Sequence, residues 1–139
     1  MKKIYLIFLF LIFFITACTT QPQQEQTTVS GNTIEISDDG FNPTILTGEA
    51  RLGILVGDTV TWINKGSIEH WPASAIHPTH AVYPEPGGCI GSKFDACRGL
   101  KPGESWSFTF NQKGEWKYHD HLKPALKGTI IVEEPLPFR

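Results

Sequence analysis

The residues of this 139-residue chain best equipped for chemistry are its five histidines, and they fall in two narrow windows: His70, His77 and His80 in one, His119 and His121 in the other. His119 and His121 are spaced i, i+2, a separation that on an extended strand projects both imidazoles to one face. Such a pair can converge on one metal ion. His77 and His80, in the run His-Pro-Thr-His, add two more imidazoles, and Asp120 lies between the strand pair with a carboxylate. Imidazoles with a carboxylate suit Cu(II) in a tetragonal geometry or Zn(II) in a tetrahedral one, and copper binds more tightly at comparable sites. Copper as Cu(II) is therefore the expected metal, with Zn(II) as its competitor.

These residues need elements to position them. Glu115 to His121 reads as a strand on which alternation sets Trp116, Tyr118 and Asp120 on one face and Lys117, His119 and His121 on the other. If the aromatic face is the core face, Asp120 points inward and the histidine pair outward; a bulge at the strand end would turn the pair inward instead. Further strands are expected over Asn32 to Ser37, Thr59 to Asn64, Ser105 to Phe110 and Thr129 to Val132, each bounded by turn residues. Between them, Thr44 to Leu55 reads as extended chain broken at Gly48 and Gly53. Helical periodicity is missing, so the expected architecture is an all-β antiparallel sandwich of about seven or eight strands with Greek-key connections.

Ala75 to Leu100 is the exception to this regularity. Prolines at 78, 84 and 86 and glycines at 87, 88, 91 and 99 exclude long regular elements from it. A loop of this length in a small domain is usually functional or disordered. It starts just after His70, carries His77, His80, Tyr83 and Glu85, and holds Cys89 and Cys97. In an exported chain two cysteines so close together are most simply a disulfide.

The order of motifs resembles the cupredoxin family over about residues 32 to 134. The similarity lies in an alternating strand, Phe41-Asn42-Pro43, the run Gly57-Asp58-Thr59-Val60-Thr61-Trp62-Ile63-Asn64, Pro102-Gly103 before an aromatic strand, and Gly114-Glu115-Trp116-Lys117-Tyr118. It ends in Lys127-Gly128 before the β-branched run Thr129 to Val132. The segment around Thr47 to Leu52 is longer than usual for that family and resembles an inserted bend. The resemblance implies that His70 occupies the family's first ligand position. It also implies that Asp120 stands at the thiolate position, Lys123 at the second histidine position and Leu126 at the methionine position. A blue copper site needs a thiolate and imidazoles with a weak axial sulfur, and this set cannot supply it.

Two ligand sets then remain open: Asp120 with His70, or His119 and His121 with His70 and one of His77 and His80. The second is favoured, because all the histidines lie in segments that the fold would bring to one pole. The leading functional expectation is a metal-binding cupredoxin-like protein that binds or hands over copper. Binding ranks ahead of catalysis. The alternatives are electron transfer, a small redox enzyme in which Asp120 or Glu85 assists proton transfer at an open copper position, and a non-metal interaction module using Trp71 and Tyr83.

Met1-Lys2-Lys3 followed by an apolar run from Ile4 to Ile15 reads as an export signal. Its end, Ile15-Thr16-Ala17-Cys18, resembles the cleavage box of bacterial lipoproteins, which would make Cys18 a lipidated first residue. The division expected is a signal peptide over 1–17, the lipidated cysteine and a flexible tether over 18–31, a cupredoxin-like domain over 32–135 and a tail over 136–139. Thr19 to Gly31 is too poor in apolar residues to fold. The implied location is the cell envelope, on the periplasmic or extracellular face of a bacterial membrane, with the lipid anchor as the membrane contact. A hydrophobic content of 40% provides for one core. A formal charge of −2 leaves no electrostatic footprint for nucleic acid. Phosphate loops, nucleophile elbows and repeats are absent from the sequence. No feature of the sequence names a protein partner.

Overall fold

The computed structural model describes residues 31–43 and 49–137. The leader, Cys18, the tether up to residue 30, the first part of the bend around Thr47 and the last two tail residues lie outside the described residues. The described residues form strands and no helix. In chain order the strands are β1 (Thr33–Ser37), β2 (Gly40–Asn42), β3 (Ala50–Leu55), β4 (Thr59–Asn64), β5 (Pro72–Ser74), β6 (Pro86–Gly87), β7 (Gly91–Ser92), β8 (Ser105–Thr109), β9 (Gly114–Asp120) and β10 (Lys127–Glu133). Two four-stranded sheets, ordered β2-β1-β4-β8 and β3-β10-β9-β5, make the sandwich, and β6 and β7 pair alone within the long loop.

The sheets are mixed rather than purely antiparallel. β1 runs parallel to β4, and β3 runs parallel to β10. Each parallel pair is joined through the other sheet, since β4 returns to the side of β1 only after the chain has crossed over at β3. Gly53 does not break β3: it stays in register with Ile131 of β10, and its missing side chain leaves open space.

The core closes around Trp62, which is fully buried and lies within 5.5 Å, between ring centroids, of Phe94, Trp106 and Tyr118. Phe94 and Tyr83 come from the long loop, and both are buried. That stretch is therefore part of the core as well as a connection. The same burial removes Tyr83 from any contact surface: its ring packs on Phe108 and Trp116, and its hydroxyl accepts from the backbone of Asn111. Cys89 and Cys97 are joined as a disulfide. The carboxylate of Asp95 fills the loop that the bridge closes, accepting from the backbone N–H groups of Cys89, Ile90 and Cys97.

β9 is the strand that aims the site. Gly128 stands directly opposite Tyr118, and a Cβ there would come within 2.4 Å of the tyrosine ring. The glycine thus makes room for a core-facing tyrosine. With Tyr118 and Asp120 directed inward, alternation sends His119 to the outer face of the sheet.

Candidate metal centre

His77, His80, His119 and His121 come together on that outer face. Each offers one nitrogen, and the four nitrogens all lie within 4.8 Å of one another. His77 and His121 are stacked with ring centroids 5.1 Å apart, and His80 and His119 stand 4.9 Å apart. Two of the four ride on β9 and its continuation, where the backbone N–H of His121 donates to the carbonyl of Trp71 at 2.7 Å. The other two come from the long loop, which is tied down beside β5. Ser74 Oγ accepts from the backbone of Tyr83 at 3.0 Å, and the Ser74 carbonyl lies 3.0 Å from His80 Nδ1.

That carbonyl fixes a tautomer. A carbonyl can only accept, so His80 Nδ1 carries the proton and Nε2 keeps its lone pair. This is the orientation that a backbone acceptor commonly gives to a metal-ligating histidine. His80 Nε2 is 3.2 Å from His77 Nδ1, so without a metal the second ring donates to the first. His80 also holds φ at 48°, a left-handed backbone conformation that non-glycine residues rarely adopt. His119 Nε2 and His121 Nδ1 are buried and have no hydrogen-bond partner among the described residues. Buried polar atoms are normally satisfied. Two buried nitrogens without a partner, both on rings of the cluster, are available to a cation.

A metal ion fits this set. With metal–nitrogen bonds of ~2.0–2.1 Å, ligand atoms lie about 3.3 Å apart in a tetrahedron and about 4.1 Å apart across a square plane. The observed spread needs only a small contraction to reach either. Electrostatics also favour an unprotonated His119. Burial, helped by the neighbouring imidazoles of His80, His77 and His121, pushes the His119 pKa down to about 4, and Asp120 opposes this only partly.

His70 and Asp120, expected among the ligands, are not in the tetrad. They are fully buried on the inner side and partner each other, with His70 Nδ1 2.7 Å from Asp120 Oδ2. Asp120 Oδ1 accepts from the backbone N–H groups of Trp71 and Leu122. His70 Nε2 is 3.5 Å from Asp38 Oδ1, and Asp38 is held at a pKa of about 2, chiefly by hydrogen bonds from the hydroxyl and backbone N–H of Ser67. The reason is strand alternation: one residue along β9 is a change of face, so Asp120 and its histidine neighbours cannot serve one ion. Of the expected ligands, His77, His80, His119 and His121 therefore come together, and His70 and Asp120 stand apart from them. At the other positions the resemblance marked, Lys123 Nζ donates to the Asp38 carbonyl and Leu126 lies in the core. Glu85 is engaged by Tyr83 and Lys93.

Sequence reasoning gave no role at the site to Ser74, whose contribution is a backbone carbonyl and so leaves no mark in residue type. It also missed the wall that Trp71 provides. The Trp71 ring meets His121 edge-on at 4.7 Å, and its N–H donates to Asp95 at 2.7 Å, which ties the disulfide loop to the site.

Comparison with known proteins accords with this architecture. No family model matches the chain. Amicyanin of Paracoccus denitrificans is 33% identical over 85 residues, which is 60% of this chain and 55% of amicyanin, so the match spans a little over half of that relative's length. Among solved structures, the Cu(I) form of an amicyanin mutant is 25% identical with a TM-score of 0.55, over 74% of this chain and 82% of its own. An oxidised amicyanin mutant is 25% identical with a TM-score of 0.53, over 73% and 80%. With the sandwich, the strand order and these similarities taken together, the described part of this chain has the cupredoxin fold.

Proposed function

We propose that this protein is an exported, lipid-anchored copper-binding protein whose metal sits on the outer face of the sandwich, held by His77, His80, His119 and His121. The observation that carries the reading is the convergence of four imidazole nitrogens within 4.8 Å, two of them buried without partners. Imidazole ligands suit both copper and zinc, and copper has the higher intrinsic affinity. The copper named for the amicyanin relative supports the same choice. The task is binding and handling of Cu(II). Electron transfer is the second reading, favoured by relatives solved in both Cu(I) and oxidised forms. Against it stands the absence of a thiolate, since Asp120 at that position is committed to His70. The anchor rests on the leader sequence, and fatty-acid labelling that disappears in a Cys18→Ala variant is its test.

Electron paramagnetic resonance of the purified protein with one equivalent of Cu(II) tests the site. The expected signal has a wide parallel hyperfine splitting with nitrogen couplings, is reduced by His121→Ala and is unchanged by His70→Gln. A signal like that of free copper would remove the metal reading. Loss of nitrogen coupling in His70→Gln alone would return the site to the inner pole.

A further inference from the structure

A cleft of about 390 Å³ opens beside the tetrad, with His77 and His119 in its wall. The register of β9 on β10 sets Lys127 directly opposite His119, and Lys117 lies two residues before His119 on the same outward face. Both lysines line the cleft, and neither takes part in an ion pair among the described residues. Glu49 is the acidic side chain in the lining, so the cleft keeps one unit of positive charge in excess. Ile76, largely exposed, forms an apolar shoulder next to His77.

The charge of the tetrad makes this lining consequential. All four candidate ligands are imidazoles, which bring no negative charge, and the carboxylate next to His119 in sequence, Asp120, is paired with His70 on the other side of the sheet. A divalent ion held there would keep its full charge, whereas a thiolate or carboxylate ligand would cancel part of it. An anion brought to the metal from the cleft would meet that charge and two unpaired ammonium groups together.

We propose that the cleft is a binding site for a small monoanion, inorganic or carboxylate, that completes the coordination of the metal from the His77 and His119 side. The inference rests on the reading that the tetrad holds copper. It implies that the protein takes up or releases copper with an anionic co-ligand rather than as a bare cation.

The test uses the Cu(II)-loaded protein, titrated separately with azide and with acetate and followed by optical absorption and electron paramagnetic resonance. Azide should produce a new ligand-to-metal charge-transfer band and shift the hyperfine splitting. Acetate should shift the splitting and compete with azide if carboxylates are accepted. If acetate does neither, the site takes inorganic anions alone and the proposal holds for that source. Replacing both lysines, Lys117→Gln with Lys127→Gln, should raise the azide dissociation constant about tenfold and should not weaken copper binding, since the two ammonium groups repel the cation they neighbour. Glu49→Gln should tighten azide binding. Spectra that neither anion alters, or azide binding as tight in the lysine double variant as in the natural protein, would overturn the proposal while leaving copper binding in place. A protein that shows no nitrogen-coupled copper signal before any anion is added would overturn both readings.

Discussion

Individual side chains divide into two groups that the sequence interleaves. His119 and Asp120 are adjacent, yet one belongs to the candidate metal centre and the other to a buried hydrogen-bonded pair. Asp120→Ala should therefore cost about 1–3 kcal/mol of stability or more, because it leaves His70 Nδ1 and the backbone N–H groups of Trp71 and Leu122 buried without their acceptor, while the copper signal keeps its nitrogen couplings. Denaturant unfolding and electron paramagnetic resonance on the same sample check both halves. His119 sets a pH dependence for the metal-free protein. Its folded pKa of about 4 lies below the ordinary histidine value of 6.5, so the unfolded chain binds the proton more readily in between. The stabilisation is fully present above pH 6.5 and is lost as pH falls through that value toward 4. A proton titration by NMR should find one imidazole near 4, and an ordinary value for His119 would mean that the ring is hydrated rather than enclosed.

Among the elements, β9 decides most of the function, because its alternation sorts the residues just discussed. Its orientation depends on Gly128, across from Tyr118. Gly128→Ala should cost about 1–3 kcal/mol through overpacking and weaken copper binding by displacing the neighbour of His119. Gly53→Ala is the matched control in β3, where an added Cβ meets nothing within 4 Å; the expected change is within about 0.5 kcal/mol. Equal costs at the two positions, measured by denaturant midpoint, would sink the argument from Tyr118. β9 was also the most legible element, since period-2 alternation sorted its residues into two faces, although only the packing of Tyr118 decided which of them meets the core. Loop geometry was less legible. The sequence showed that Ala75 to Leu100 is irregular, but Tyr83 and Phe94 enter the core through tertiary contacts that no local pattern announces.

At the level of the whole molecule, the cupredoxin sandwich survives with its inner pole closed by His70, Asp120 and Asp38, while a second cluster has formed on the outside. The outer cluster joins a strand to a loop about forty residues away in sequence, so metal binding should staple the two. Copper or zinc should raise the melting temperature in a concentration-dependent way, by about 2.7 kcal/mol of stability at a hundredfold excess over the dissociation constant. A chelator should reverse the gain, and His77→Ala with His80→Ala should abolish it. A melting temperature indifferent to either metal would mean that the loop is held by Ser74 and the core alone.

The sequence by itself determined the sandwich and the alternation that puts Tyr118 and Asp120 on one face of β9 and His119 on the other, because alternation and turn chemistry are local rules; which face meets the core was left to the structure. It also marked the two histidine windows, the absence of a blue copper ligand set and the close pair of cysteines. Only the tertiary structure decided that both loop histidines complete the cluster and that His70 does not. Which imidazoles meet depends on the path of a long loop and on which side of a sheet each residue lies. Those are properties of packing between segments distant in the chain, and spacing within one segment does not encode them.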